Sequence, residues 1–370
     1  MSEQIPVSAP ALVGNEKEYV IDCIESTWIS SKGKYVDEFE RGFAEFCGTS
    51  HAVTCANGTT ALHLVLEAFG IGSGDSVIVP DLTFVSTANA VRYCDAEPVF
   101  ADVDPETWNI DPEHVAELAD QDTAAILPVH LYGHPAPMDE ITAIANEHDA
   151  VVIEDAAEAH GAQYKGETVG SLGDAAIFSF YGNKIITTGE GGMVVTDDPD
   201  VSARVRHLKD LAMDQSQRYY FEEIGYNYRM TNMQAAIGCA QLEDIDWHCE
   251  RRRNIASLYN KHLPDLPEIT APVERSWADH AYWIYSIILD DSVDRRRIRD
   301  ALDEAGIETR PFFPPMTSLP PYEAYQPETP NEIADSLSKG GINLPTWAKL
   351  DEGDVKRVCE ELETAIRQGR

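Results

Sequence analysis

Between residues 50 and 200 the chain repeats one pattern: a short run of apolar, β-favouring residues, then in most cases a stretch with helical spacing. The runs fall at 51–55, 76–79, 98–101, 124–127, 151–154, 175–179 and 192–196, and the spacing predicts helices at 59–69, 85–93 and 141–147. Strands that are apolar throughout are buried on both faces, and intervening helices supply the crossovers that parallel neighbours need. The pattern predicts an α/β domain with a mostly parallel, mixed sheet.

Past residue 199 the chain turns helical, at 200–211 and 231–262. A strand at 282–289, a helix at 294–305, a Pro-rich stretch at 310–330 and a closing helix from 351 predict a smaller α+β unit. A length of 370 residues fits this division, because single cores stop growing near about 250–300 residues. The expected units are 1–245 and 246–370. Helices at about 15–27 and 36–47 precede the sheet and are expected to pack on the second unit or on a partner.

Charge narrows the function. With 64 acidic and 28 basic residues the formal charge is −36, a field that repels phosphate backbones and argues against nucleic acid as a partner. The 43% hydrophobic content is ample for a core, so the acids do not mark a disordered tail. They are spread along the chain, as on a surface adapted to a salty cytoplasm, an ordinary acidic protein being the alternative. No apolar run approaches the roughly 20 residues that a bilayer needs, and no signal peptide is visible, so neither membrane insertion nor export is expected. Seven scattered cysteines without a C-x-x-C pair predict reduced thiols in a cytoplasmic protein.

Open α/β sheets bind ligands at the carboxyl ends of their strands, and four such places carry unusual chemistry. Asn57-Gly58-Thr59-Thr60 follows one strand and opens a helix, where free amides, the helix dipole and the Thr59 hydroxyl favour an anion; plain N-capping is the other reading. Asp155 ends the run 151–154, where a carboxylate losing its water requires a cation or several donors; a helix N-cap is the alternative. Lys184 lies between two apolar segments, not on a charged helix face, which suits a sheltered, imine-forming amine, and Ser179 ends the preceding strand. Asn227 and Arg229, in the stretch 225–231, serve an anion or shape a turn.

An anion cradle, a lysine and a carboxylate are together what pyridoxal phosphate requires: a phosphate seat, an amine for its aldehyde and a partner that keeps its ring nitrogen protonated. Phe84, just past another strand, is available to stack on the ring. Metal chemistry is the weaker reading. His130 and His134 are four apart but Gly133 and Pro135 break any helix between them, and the run from Asp102 lacks the glycine and closing Glu of a calcium loop.

These residues resemble the DegT-type sugar aminotransferases, pyridoxal-phosphate enzymes of the aspartate-aminotransferase fold (type I). The matching stretches are 57–64, 80–84, 154–161, the Lys184 segment and 225–238, and the similarity runs from about residue 8 to 365. It implies that Lys184 condenses with the cofactor aldehyde and that Asp155 holds its ring nitrogen. Phe84 would stack on the ring, Gly58, Thr59 and Ser179 would hold the phosphate, and Glu158 would sit beside the ring. Asn227 would reach the phosphate of a neighbouring subunit, making a homodimer with shared active sites. Trp28, Ser30, Tyr181, Asn183, Arg229, Arg310 and Phe312 would contact substrate. The implied reaction moves the amino group of L-glutamate to C4 of a nucleotide-linked 4-keto-6-deoxy sugar. Within the family the chain is most similar to the branch whose acceptor is GDP-4-dehydro-α-D-rhamnose, a UDP- or dTDP-linked sugar being the alternative. The loop 310–317 departs from related branches in having Pro314 and Thr317, and is expected to face the nucleotide sugar. A silent regulatory member would lack Lys184 or Asp155, and both are present.

Overall fold

The computed structural model describes residues 4–214, 216–263 and 265–369. Two helices open it, α1 (Glu16–Glu25) and α2 (Lys34–Cys47), the second ending on Gly48 in the left-handed region at φ 77°. The alternation read from sequence then follows: β1 (His51–Cys55), α3 (Gly58–Ala68), β2 (Ser76–Pro80), α4 (Ser86–Tyr93), β3 (Glu97–Ala101), α5 (Pro112–Leu118), β4 (Thr123–Ile126), α6 (Met138–Glu147) and β5 (Val151–Asp155). A small hairpin, β6 (Gln163–Tyr164) and β7 (Glu167–Thr168), precedes β8 (Ala175–Ser179) and β9 (Gly192–Thr196). Three helices come next: α7 (Pro199–Lys209), α8 (Asn232–Glu243) and α9 (Ile245–His262). The remainder is β10 (Ile269–Thr270), β11 (Ala278–Asp279), β12 (Tyr285–Leu289), α10 (Arg295–Glu304), β13 (Arg310–Pro311), α11 (Glu332–Gly340), β14 (Gly341–Leu344) and α12 (Glu352–Gly369).

Seven strands form the main sheet in the order β1-β9-β8-β5-β4-β2-β3. Only β9 runs against its neighbours; the pairs from β8 across to β3 are parallel. Buried apolar clusters cover both faces, and the strand side chains are buried almost throughout. A four-stranded sheet, β10-β12-β14-β13, shares an apolar cluster with α9, α10 and α12.

Some sequence expectations need correction. The helices α1 and α2, expected on the second unit or on a partner, pack within the chain chiefly on α8. The arm before them reaches residues after 300: Ile5 bridges Ile307, and the Val7 carbonyl accepts from the Thr346 amide at 2.8 Å. The predicted helix 231–262 breaks at Asp244 into two, α8 being opened by a capping box between Thr231 and Gln234. The strand expected from 282 starts at Tyr285, because Tyr282 sits at φ 49°.

The Pro-rich stretch folds back onto the main sheet. Buried Asp81, just past β2, accepts from the Thr317 amide (2.8 Å), the Thr317 hydroxyl (2.8 Å) and Asn331 Nδ2 (3.0 Å). Thr317 therefore holds the loop down and does not face a cavity, contrary to expectation. Substituting Asp81→Ala strands those donors, and is expected to cost about 3 kcal/mol of stability. A urea denaturation midpoint equal to that of the parent protein would contradict this anchoring.

Candidate active site

The carboxyl ends of the sheet strands open on a cavity of about 490 Å³. Each wall comes from a loop that the topology brings there. The turn from β1 into α3 supplies Gly58 and Thr59, the turn from β2 into α4 supplies Thr83, Phe84 and Ser86, and β5 and β8 end on Asp155 and Ser179. The loop from β8 to β9 supplies Tyr181, Asn183 and Lys184, and the later part of the chain adds Trp283, Arg310 and Phe313.

The anion side rests on α3. The Asn57 side chain accepts from the Thr60 amide at 2.9 Å while the Thr60 hydroxyl accepts from the Asn57 amide, a capping box that leaves the first helical amides facing the cavity end. The Thr59 and Ser86 hydroxyls lie 2.7 Å apart beside them. Close packing requires glycine twice. A Cβ at Gly58 would stand 3.0 Å from Ser179 Cβ, and one at Gly192 only 2.3 Å from the Asn57 carbonyl.

Lys184 Nζ lies 3.4 Å from Glu158 Oε1 and 3.8 Å over the centre of the Trp283 ring. Burial lowers its pKa, and the Glu158 and Asp155 carboxylates pull it partly back up. The Trp283 indole donates to the Asn183 carbonyl at 2.7 Å, which fixes the ring over the lysine; Ser8 of the N-terminal arm donates to the same carbonyl at 3.0 Å. Glu158 is held by the Tyr132 amide (2.8 Å), delivered by the left-handed backbone of Tyr132 at φ 53°.

Asp155 is nearly sealed. Its Oδ2 accepts from the Thr87 hydroxyl at 2.8 Å and its Oδ1 from the Ala157 amide at 3.2 Å. Burial raises its pKa against those two donors, and that of Glu158 in the same way. No helix follows Asp155, so the N-cap reading fails. Glu154, one residue earlier, faces the opposite side, where its carboxylate takes the amides of Gly170, Leu172 and Gly173 and the His130 imidazole (3.0 Å). His130 is thereby occupied in holding β5, and a 3₁₀ turn separates it from His134.

The structure brings Gly58, Thr59, Phe84, Asp155, Glu158, Ser179, Tyr181, Asn183, Lys184 and Arg310 to this one cavity. It leaves others out. Phe312 is 2% exposed and packs on Trp108 and Tyr132; its neighbour Phe313 faces the cavity and meets Phe84 at 5.7 Å between ring centres. In a β-like segment successive side chains take opposite sides, so the choice between two adjacent phenylalanines turned on register. Arg229 is paired with Asp210 and donates to Asn227 at 2.7 Å, away from the cavity. Trp28 and Ser30 offer their backbone carbonyls to Asn232, and the Trp28 ring is 58% exposed. Asn227 does not line the cavity of its own chain.

Thr87, Ser86, Tyr132, Trp283 and Phe313 were missed by sequence reading. The hydroxyls at 83, 86 and 87, spaced three and four apart at a helix start, were the available clue for the first two.

The residues fit pyridoxal phosphate. A buried carboxylate with two neutral donors and a raised pKa suits a protonated ring nitrogen, the α3 turn suits a phosphate, and Lys184 suits an aldehyde. A doubly covered, mostly parallel sheet with these groups at its strand ends defines a pyridoxal-phosphate aminotransferase of the type I fold.

Comparison with known proteins places it further. Residues 10–363 match the model of the DegT/DnrJ/EryC1/StrS aminotransferase family, and the chain belongs to that family. It is 49% identical over 366 residues to the GDP-perosamine synthase of Caulobacter vibrioides, covering 98% of each chain. It is 46% identical to the GDP-perosamine synthase of Escherichia coli O157:H7, covering 97% of each. Among solved structures, DesI in the presence of its TDP-sugar product superposes with a TM-score of 0.92 at 32% identity, covering all of this chain and 94% of that one. The chain is a transaminase with pyridoxal phosphate as its cofactor.

Proposed function

We propose that this enzyme moves the amino group of L-glutamate to C4 of GDP-4-dehydro-α-D-rhamnose, giving GDP-perosamine for polysaccharide biosynthesis in the cytoplasm. The observation that carries this reading is full-length identity of 46–49% to relatives of that name, with Lys184, Asp155 and Glu158 all on one cavity. A dTDP- or UDP-linked acceptor is the second reading, favoured by the TDP-sugar neighbour at 32% identity.

When bound, pyridoxal phosphate supplies the electron sink for the carbanion left at the amino-bearing carbon. The chain's own residues do the rest. Gly58, Thr59 and Ser179 would hold the cofactor's phosphate, and Phe84 would be the residue to stack on its ring. Asp155 keeps the proton on the ring nitrogen. Lys184, its ammonium form disfavoured by burial, would take the proton from the amino-bearing carbon of glutamate at Nζ and, in the second half of the exchange, deliver a proton to C4 of the sugar. Glu158 and the Trp283 face receive the lysine whenever its amine is free and protonated. Tyr181, Asn183 and Arg310 line the side open to substrate, and the buried Asn183 Oδ1 has no hydrogen-bond partner among the described residues. Asn227, steadied by Arg229, serves the cavity of a second subunit, so the working form is a homodimer. Residues 1–245 and 246–370 act as large and small units, meeting at this cavity.

Assays of glutamate-dependent amination with GDP-, UDP- and dTDP-linked 4-keto-6-deoxy sugars test the acceptor. The expected result is a kcat/KM for the GDP sugar at least about tenfold above the others, a gap of about 1.4 kcal/mol in transition-state binding. Preference for another nucleotide removes the acceptor assignment and leaves the aminotransferase standing. The charge of −36 is the basis for a halophilic assignment. Self-repulsion at low ionic strength is expected to lower the melting temperature, and molar KCl to restore it. A melting temperature independent of salt would count against that assignment.

A further inference from the structure

The half of α3 remote from the anion cradle carries a second cluster of reactive groups. His63 and Glu67 stand one helical turn apart on the same face, and Cys94, which ends α4, closes the triangle. The imidazole nitrogen, carboxylate oxygen and thiol sulfur lie within 4.8 Å of one another, with His63 Nε2 and Glu67 Oε1 at 3.6 Å. His63 is 5% and Cys94 7% exposed, while the Glu67 side chain, 28% exposed, leaves a way in from solvent. His63 Nε2 is buried, and among the described residues its nearest acceptor is Glu67 Oε1 at 3.6 Å, just beyond hydrogen-bond length. A buried imidazole nitrogen whose one polar neighbour stands too far off for a good hydrogen bond is incompletely satisfied, and a metal ion between the two is one group that satisfies both.

We propose that His63, Glu67 and Cys94 form a binding site for a divalent transition metal of the zinc type. One nitrogen, one sulfur and one oxygen ligand suit a borderline-soft cation and give a hard ion such as Mg²⁺ or Ca²⁺ too few oxygens. A neutral imidazole, a carboxylate and a thiolate together carry −2, which balances the ion. Tetrahedral zinc, with bonds of about 2.0–2.3 Å, sets its ligand atoms roughly 3.3–3.8 Å apart. The His63–Glu67 spacing already meets that, and the sulfur closes the rest by a movement of about 1 Å. On binding, the Cys94 thiol gives its proton to solvent as the sulfur–metal bond forms, and the fourth position goes to water.

The outer partners are in place. The Tyr226 hydroxyl donates to Glu67 Oε1 at 3.1 Å, and the Tyr228 hydroxyl lies 3.4 Å from His63 Nδ1, the nitrogen that stays off the metal. These two tyrosines flank Asn227. The ion would therefore clip α3, α4 and the Asn227 segment together, and the site stands or falls independently of which sugar is the acceptor.

The test uses the cofactor-loaded enzyme, stripped with chelator and titrated with Zn²⁺ against a chromogenic competitor in excess Mg²⁺. One zinc per chain is expected. Cys94→Ser, His63→Asn and Glu67→Gln are each expected to weaken binding at least about 100-fold, more than the loss of an outer partner costs. Co²⁺ in the unaltered enzyme is expected to give the intense visible bands of a four-coordinate ion. Glu67→Gln, at the most exposed ligand, decides the matter if either buried substitution disturbs folding. Absence of stoichiometric zinc, unchanged affinity in Glu67→Gln, or the weak spectrum of six-coordinate Co²⁺ would each overturn the site.

Discussion

Replacing Lys184 by Ala is expected to lower kcat at least about 10⁴-fold, since one side chain both anchors the cofactor and moves the proton. Nothing else lining the cavity can take over. The other well-buried lysine, Lys209, is committed to the Thr54 carbonyl at 2.8 Å and Glu40 at 3.2 Å on the far side of β1. The fold should survive, because burial already disfavours the charge on Lys184 and Glu158 can protonate once the ammonium is gone. The checks are single-turnover kinetics with glutamate, a thermal melt, and borohydride treatment followed by peptide mapping. In the parent enzyme the pyridoxyl group should be fixed to Lys184 alone; turnover within tenfold of the parent in the Ala variant would remove the assignment.

The second large effect is expected at Asp155. Asp155→Ala should still capture the cofactor through Lys184 yet lose about 10²–10⁴ in kcat, because the ring nitrogen no longer retains its proton. Asp155→Asn separates charge from shape. It fills the same space and keeps a partner for the Thr87 hydroxyl, so a loss of similar size in both variants assigns the effect to the carboxylate's charge. Near-parental turnover in Asp155→Asn would instead make Asp155 a packing residue. Removing this carboxyl group should not unfold the chain, since its burial in the native state raises its pKa and disfavours the charged form.

Much of this is written in the sequence itself. Short, fully apolar strands separated by helices leave few topologies, so the strand positions 51–55, 175–179 and 192–196 and the strand-end placement of Asn57, Asp155 and Ser179 followed from the chain itself. Lys184 was legible because its neighbours are apolar and glycine-rich where a surface lysine would have polar ones. What the chain did not disclose is what depends on register and distant contact. Phe312 and Phe313 are equivalent as letters, and only the pairing of β13 with β14 decides which enters the cavity. Arg229 is a lone cation in sequence, but Asp210, nineteen residues earlier, claims it. Trp283 reaches Lys184 from about a hundred residues away and belongs to no local pattern. The α11–β14 segment hid behind the prolines that precede it.

The anchoring of Asp81 has a bearing on redesign. A chimaera that imports the segment 310–331 from a relative in order to change the acceptor would carry Thr317 and Asn331, or their replacements, to a carboxylate that stays behind in the recipient. Three hydrogen bonds run from the segment to that carboxylate, and the Met316 amide adds one to the Asp81 carbonyl, so the transplant and position 81 have to be exchanged as one module. Otherwise the graft would shift Phe313 and Arg310 through a misfitted root, and any altered selectivity would report the seam and not the imported side chains.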